Sequence, residues 1–278
     1  MEKFKIVADS ASDVLTLEKV SYAYAPLKII TSEKEYLDDK NLDVRKMVDN
    51  LLEYKGKSST SCPNPDDWIQ AFGDAENIFC VTITGTLSGS HNAANLAKNI
   101  YEEMYPERKV CVINSLSTGP EMKLIIDKLQ YLILQEKEFD EICEEINEYC
   151  KNTGLFFILE SMKNLANNGR VSPLVAKAAG LLGIRVLGMA SEIGDLQMLD
   201  KCRGREKVVA ALIRELAERG LKKGKVFVGH CFNEDTAVII KEKIREVFPE
   251  AKVEIYNLRG LCSFYAEKGG LIIGYEKF

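Results

Sequence analysis

Residues 77–100 combine the two hydrophobic periods from which secondary structure can be predicted. The uninterrupted apolar run from Ile78 to Ile83 is typical of a buried strand. A short loop of threonine, glycine and serine follows, and small or apolar residues then recur at helical spacing, at Ala93, Ala94, Leu96, Ala97 and Ile100. The segment therefore predicts a strand, a polar loop and a helix.

The same succession is repeated through the first half of the chain. We predict strands over residues 4–8, 22–30, 34–37 and 109–113. Helices are predicted over 43–54 and 139–151, with one further helix that begins at 65 and another that ends at about 135. Strands that alternate with helices indicate parallel βαβ units. Polar loops that follow such strands meet at the carboxyl edge of the sheet, where α/β proteins bind ligands.

The pattern changes near residue 153. Residues 155–161 are almost entirely apolar, and residues 184–199 predict a hairpin with its turn at 192–195. Further helices are predicted at 173–182, 205–219, 235–248 and 263–268, and strands at 226–228, 253–256 and 271–275. We therefore expect an α/β fold of two domains, an N-terminal parallel-sheet α/β/α domain over residues 1–152 and a C-terminal α+β domain over 153–278.

Composition and charge exclude several classes of function. The net charge is -5, so no general electrostatic attraction favours nucleic acid. No segment approaches the roughly 18 consecutive apolar residues of a membrane helix, and the first residues lack the pattern of a signal peptide. Eight cysteines occur without a C-x-x-C motif, and there are two histidines. We expect a cytoplasmic protein with neither a metal site nor a disulfide framework.

The loop after the strand at residues 78–83 is the first candidate site. Four hydroxyl groups lie close to the unpaired N–H groups of the predicted helix start, which suits an anion. They belong to Thr84, Thr86, Ser88 and Ser90. The loop matches neither a Walker loop, nor a dinucleotide fingerprint, nor the G-x-S-x-G elbow of hydrolases. It therefore predicts an anion site without a nucleotide motif.

Two other segments are candidates for the same site. The loop at residues 56–68 is rich in hydroxyl groups, including those of Thr60 and Ser61, and leads into a helix at Pro65. Arg170, between a polar turn and an apolar helix, could be the cation for a bound carboxylate or a surface residue that caps a helix. Arg203 could contact a charged partner or simply begin the next helix.

A serine hydrolase is the competing interpretation. His91 follows Ser88 by three residues and could share its helix face, but no acidic residue is evident as the third member of a triad. A fluorophosphonate probe that labels Ser88 would favour this enzyme over a binding protein.

Five short motifs occur along the chain. They are Asp9-Ser10 with Asp13, Thr-Ser-x-Pro at 60–63, Leu-Ser-Gly at 87–89, Gly-Arg-Val-Ser at 169–172 and Lys-x-Arg-Gly at 201–204. Each is weak alone, but in this order they make the chain resemble the DegV family of bacterial lipid-binding proteins over nearly its whole length.

The resemblance implies a protein that holds one long-chain fatty acid in a tunnel between two domains, with no other cofactor. The carboxylate would contact the Thr60–Ser61 loop and the Ser88–Gly89 loop, with Arg170 nearby. Such proteins present the acid to a separate fatty acid kinase for phospholipid synthesis. We therefore expect a non-catalytic carrier, with Arg203 as a possible partner-facing residue.

The sequence departs from the family pattern near its C-terminus. Family members commonly carry His-x-Gly-Pro-Gly there, whereas residues 266–270 are Ala-Glu-Lys-Gly-Gly. If the histidine serves the kinase, this chain could bind lipid without such a partner. A binder of another amphipathic carboxylic acid is a further alternative.

Overall fold

Three sheets form the fold in residues 3–179 and 183–278, the part of the chain that the computed structural model describes. The first half contains β1 (Phe4–Asp9), β2 (Ser21–Ala25), β3 (Lys28–Ile30), β4 (Glu35–Leu37), α1 (Val44–Glu53), β5 (Ser59–Ser61), α2 (Pro65–Phe72), β6 (Asn77–Thr82), α3 (Ser90–Met104), β7 (Lys109–Asn114), α4 (Gly119–Leu134) and α5 (Phe139–Cys150). The second half contains β8 (Thr153–Leu159), α6 (Lys163–Asn167), α7 (Pro173–Ala179), β9 (Ile184–Ala190), β10 (Leu196–Arg203), α8 (Arg205–Glu218), β11 (Lys225–His230), α9 (Glu234–Val247), β12 (Lys252–Asn257), α10 (Gly260–Ala266) and β13 (Leu271–Glu276).

The predicted parallel sheet is confirmed. Its strand order is β2-β1-β6-β7, and every neighbouring pair is parallel. Helices cover it because each connecting helix has an apolar stripe. For example, Trp68 and Phe72 of α2 and Tyr101 of α3 are fully buried against one face. The carboxyl ends of β1, β6 and β7 consequently lie at one edge, as predicted for the polar loops that follow parallel strands.

The predicted strand at residues 22–30 is in fact two strands in different sheets. β2 joins the parallel sheet, whereas β3 pairs with β4 and β5 in a small antiparallel sheet. The break falls at Pro26, which has no N–H for a ladder, and at Leu27, whose N–H donates to Ser10 Oγ at 3.0 Å. Strand β5 was not predicted because it is short and polar, and its pairing partner is distant in sequence.

The second half forms a six-stranded mixed sheet in the order β10-β9-β8-β13-β11-β12. All its neighbours are antiparallel except β11 and β12, and the predicted hairpin is β9 and β10. The predicted helix over 173–182 begins at Pro173 as α7, and residues 180–182 lie outside the described part. Helix α6 lies in a segment predicted to be a turn.

Opposite faces of the mixed sheet have different neighbours. Phe156 and Ile158 pack with the apolar faces of α8 and α9, which include Leu212 and Ile240. The alternate residues of β8 point to the other face, towards the parallel sheet. The predicted domain boundary after residue 152 stays a prediction, although β8 begins at Thr153. No helix within the described residues has the length and apolar character needed to cross a membrane.

Candidate functional site

A cavity lies between the carboxyl edge of the parallel sheet and the free face of the mixed sheet. It contains about 820 Å³ of space not filled by atoms, part of which is open to solvent. The mixed sheet contributes apolar side chains to the lining, namely Leu155, Phe157, Leu159, Ala190, Leu196 and Ile272. Polar side chains come mainly from loops.

The loop between β6 and α3 contains the Leu-Ser-Gly motif at residues 87–89, and Asp9 fixes both ends of this loop. One carboxylate oxygen of Asp9 accepts the N–H of Ile83 at 2.9 Å and the hydroxyl of Ser90 at 2.6 Å. Burial raises the pKa of Asp9 to about 7, against the opposing effect of these hydrogen bonds. Asp9 also caps the short 3₁₀ turn at residues 10–12 by accepting the N–H of Ala11.

Three of the four candidate hydroxyls in this region donate to protein acceptors. Thr84 Oγ1 donates to the carbonyl of Gly194 at 2.8 Å, and Thr86 Oγ1 to that of Ile193 at 2.5 Å. Ser90 donates to Asp9. The Thr84 and Thr86 hydroxyls thus hold the β9–β10 turn over the cavity. Ser88 Oγ instead accepts the N–H of Ser90 at 3.3 Å, so its own proton can be donated into the cavity that Ser88 lines.

Thr60 also lines the cavity, at the centre of β5. Its Oγ1 lies 2.7 Å from the hydroxyl of Tyr265, which is carried by α10 and lines the cavity as well. Thr60 and Tyr265 are 205 residues apart in sequence. Two hydroxyl groups therefore meet at a position where the parallel-sheet half of the chain faces α10.

Arg170 adds a positive charge to the same lining. Its Nε donates to the carbonyl of Leu87 at 3.1 Å, and one of its terminal nitrogens donates to the carbonyl of Asn168 at 2.5 Å. These bonds place the guanidinium beside the residue that precedes Ser88. Because a guanidinium has five N–H donors, donors remain for a ligand. Arg170 therefore lies against the hydroxyl-rich loop, and its contact with a bound carboxylate stays a prediction.

The other predicted site residues do not line the cavity. Ser61 follows Thr60 in β5, and successive strand residues point to opposite faces. Gly89 contacts the neighbouring loop instead, because a Cβ at its position would lie 3.2 Å from Cys62 Sγ. Arg203 is exposed at the end of β10. Direct ligand contacts by Ser61 and Gly89, and a partner contact by Arg203, stay predictions.

His91 is not arranged as a base for Ser88. Its Nδ1 lies 3.1 Å from Thr82 Oγ1, and its Nε2 lies 3.0 Å from the side-chain nitrogen of Asn95. Since an amide NH₂ only donates, Nε2 accepts and Nδ1 carries the proton. Burial lowers the pKa of His91, which favours this neutral form. Both ring nitrogens are therefore engaged by residues other than Ser88.

Metal binding has no support in the described residues, where no group of three or more histidine, cysteine or acidic side chains could hold an ion. The second histidine, His230, is buried and its Nδ1 accepts the N–H of Asn233 at 3.3 Å. Cys62 is exposed, whereas Cys80 and three other cysteines are buried.

Sequence reasoning missed two contributors to the site. Tyr265 lies in a segment predicted only as a short helix, and nothing local indicates its contact with Thr60. Asp38 follows β4 and accepts the N–H groups of Gly260 and Leu261 at 3.0 and 2.9 Å, which fixes the start of α10. Burial raises the pKa of Asp38. The signal available in the sequence was an acidic residue directly after a predicted strand, and it did not indicate which residues Asp38 contacts.

The fold and the cavity define a class of α/β protein in which a parallel sheet and a mixed sheet enclose an apolar site with polar groups at its rim. The chain belongs to the DegV family, whose model matches residues 3–277. This confirms the family resemblance inferred from the five motifs.

Relatives cover the chain almost completely. A DegV domain-containing protein of Streptococcus pneumoniae is 45% identical over 98% of this chain and 99% of its own length. A DegV family structure from Eubacterium eligens, loaded with heptadecanoic acid, is 44% identical with a TM-score of 0.97 and covers 99% of this chain and 100% of its own. The Fatty Acid Kinase B3 protein of Streptococcus pneumoniae, loaded with linoleic acid, has the same identity and TM-score and covers both chains fully.

Proposed function

We propose that this protein binds one long-chain fatty acid in the cavity, with the carboxylate near Thr60, Ser88 and Arg170. The observation that carries the proposal is the unequal lining of the cavity. One side consists mainly of apolar strand residues, and the polar part of the lining includes the hydroxyls of Thr60 and Ser88 and the guanidinium of Arg170. An acyl chain fits the first surface and an acidic head group fits the second.

The physical terms favour such a ligand over a small polar acid. Each methylene removed from water stabilises binding by about 0.8 kcal/mol, so the tail supplies most of the affinity. Hydrogen bonds to a charged group contribute about 1.5–3 kcal/mol each, so the head group fixes orientation and selects an acid. The two 44% identical structures that hold heptadecanoic and linoleic acids support this assignment.

The protein is a carrier rather than an enzyme in this proposal. The hydrogen bonds of His91 to Thr82 and Asn95 leave no base for Ser88, which weighs against the serine hydrolase. We expect no labelling of Ser88 by a fluorophosphonate probe. Labelling that is abolished in Ser88→Ala would instead support the hydrolase.

We further propose that the bound acid is presented to a separate fatty acid kinase. A 44% identical relative is named as a Fatty Acid Kinase B3 protein, and Arg203 supplies an exposed cation outside the cavity. With purified kinase and ATP, Arg203→Met should lower acyl phosphate formation while fatty acid affinity stays unchanged. The absence of acyl phosphate with the wild-type protein would indicate that the altered segment at 266–270 has removed this role.

The decisive test of lipid binding is extraction of the purified protein with organic solvent, followed by mass spectrometry. We expect about one long-chain fatty acid per chain, in the range of about C14 to C18 that the family resemblance implies. Delipidated protein should then take up added palmitic acid. An extract without fatty acid, together with no uptake of added acid, would refute the proposal, and a different amphipathic acid would identify the third candidate.

A further inference from the structure

Tyr265 is the polar side chain that α10 directs into the cavity. Its hydroxyl lies 2.7 Å from Thr60 Oγ1, and its ring packs edge-on against Phe264 with ring centroids 4.8 Å apart. Neither the sequence motifs nor the proposed head-group contacts with Thr60, Ser88 and Arg170 account for this phenol.

The position of Tyr265 is fixed from both ends of α10. At the start, Asp38 accepts the N–H groups of Gly260 and Leu261, and Asp13 accepts the N–H of Arg259 at 2.9 Å. Near the end, the side-chain amide of Asn164 donates to the carbonyl of Phe264 at 2.8 Å. The phenol is thus held against Thr60 by contacts that do not involve a ligand.

The proton count of this pair has a chemical consequence. Thr60 and Tyr265 each carry one hydroxyl proton, and one of the two protons is used in the bond between them. The other remains available to an acceptor in the cavity. Burial raises the pKa of Tyr265, so the phenol remains protonated at neutral pH. A carboxylate is a stronger acceptor than an ester carbonyl, and hydrogen bonds in a chain polarise one another.

We propose that Tyr265 is a specificity-determining residue that, with Thr60, forms a two-hydroxyl relay donating one hydrogen bond to the ligand's carboxylate. The inference rests on the proposed fatty acid function and adds that the relay distinguishes an ionised acid from its neutral ester. Arg170 lies on the same lining and adds charge, but the relay supplies a separate donor from α10.

The test measures dissociation constants of palmitic acid and methyl palmitate with delipidated protein. Tyr265→Phe keeps the ring and removes the hydroxyl, and we expect acid binding to weaken by about 10- to 150-fold, the range for a lost charged hydrogen bond. Ester binding should change by less than about twofold, since a neutral acceptor gains little from the relay. Tyr36→Phe is the matched control, because its hydroxyl accepts from Asn50 away from the cavity, and both ligands should bind it as they bind wild type.

Coupling between the two hydroxyls provides the second readout. Thr60→Val alone and Thr60→Val with Tyr265→Phe should lose acid affinity equally, within about twofold, because either change breaks the relay. Thr60→Ser, which keeps a hydroxyl, should retain most of the affinity. Additive losses, equal losses for acid and ester, or wild-type acid affinity in Tyr265→Phe would overturn the relay. Failure of wild-type protein to bind palmitic acid would overturn the fatty acid proposal itself, which is a distinct result.

Discussion

The two sheets contribute to the cavity in different ways. The parallel sheet contributes loops at its carboxyl edge, with Thr60 from the adjoining small sheet, so its half of the lining contains hydroxyl groups. The mixed sheet contributes strand faces, so its half is apolar, with Leu155, Phe157 and Leu159 at alternate positions of β8. A single chain thus builds an amphipathic site by placing the end of one sheet against the face of another.

Arg170 and Tyr265 depart from this division between a polar first half and an apolar second half. Both come from the second half of the chain, yet both contact the polar side, Arg170 at the carbonyl of Leu87 and Tyr265 at Thr60. The head-group region therefore depends on contacts between the two halves. The apolar wall comes mainly from the strands of the mixed sheet, to which Leu27 and Leu87 of the first half add apolar side chains. Variants on the two sides should consequently affect ligands in different ways.

The largest effect is expected on the apolar side. Ala190→Phe places a ring in the cavity, and exclusion of about four methylenes of the ligand, at about 0.8 kcal/mol each, should weaken fatty acid binding about 200-fold. Acid and methyl ester should lose affinity equally, as measured by competition with a fluorescent fatty acid. Ala210→Phe, on an exposed position of α8, is the control that should bind normally. A selective loss of acid in Ala190→Phe would contradict the division between the two sides.

The next effect concerns the cation. Arg170→Met keeps the aliphatic stem and removes the charge, so acid affinity should fall about 10- to 150-fold, whereas ester affinity should fall much less. Arg203→Met removes a charge outside the cavity and should leave both affinities unchanged. Equal behaviour of the two arginine variants in calorimetry would show that Arg170 acts only in holding the Leu87 loop.

A smaller effect is expected at Ser88. Ser88→Ala removes a hydroxyl that can donate to the head group, and binding of palmitic acid should weaken by roughly 1–3 kcal/mol. Thr86→Val is informative beside it, because Thr86 donates to Ile193 and not into the cavity. Unchanged affinity in Ser88→Ala would remove Ser88 from the head-group region.

The last prediction concerns protein stability instead of ligand affinity, namely the pH dependence of unfolding at a contact between the two halves. Asp13 accepts the N–H of Arg259 and the hydroxyl of Tyr256, and burial raises its pKa to about 7 from 3.8. The folded state then binds more protons than the unfolded state between these values, so stability falls as pH rises from about 4 to 7 and levels off above 7.

Asp13→Asn should remove this contribution, and the slope should become less negative by roughly 1 kcal/mol per pH unit. Urea unfolding at several pH values between about 4.5 and 8 measures it. Asp140→Asn, at an exposed carboxylate on α5, is the control that should keep the wild-type slope. An unchanged slope in Asp13→Asn would show that this carboxyl is not titrating within the window.

Local sequence patterns were sufficient for most of the elements and for part of the site. The apolar run before Thr84 and the helical spacing after Ser90 predicted β6, its loop and α3, because these depend on neighbours within a few residues. Pro65 similarly marked the start of α2, where the structure adds a capping box of Asn64 and Asp67. The carboxyl edge of the parallel sheet carries Ser88, whereas Thr60 reaches the same cavity from the small antiparallel sheet.

Long-range contacts account for what the sequence left undetermined. Which hydroxyls are free depends on acceptors far away, such as the carbonyl of Gly194 for Thr84, 110 residues distant. The Asp38 contact with Gly260 spans 222 residues. Hydrophobic periodicity carries no information about contacts between residues so far apart. Local patterns therefore identified hydroxyl-rich loops without showing which side chains face the ligand.

The most direct test of the division between the two sides is a crystal structure with 16-bromohexadecanoic acid, in which anomalous scattering locates the bromine. We expect the carboxylate within hydrogen-bonding distance of Thr60, Ser88 or Arg170, and the bromine among the apolar side chains of β8 and β13. A bromine at the hydroxyl-rich rim, with the carboxylate in the apolar wall or outside the cavity, would contradict the account.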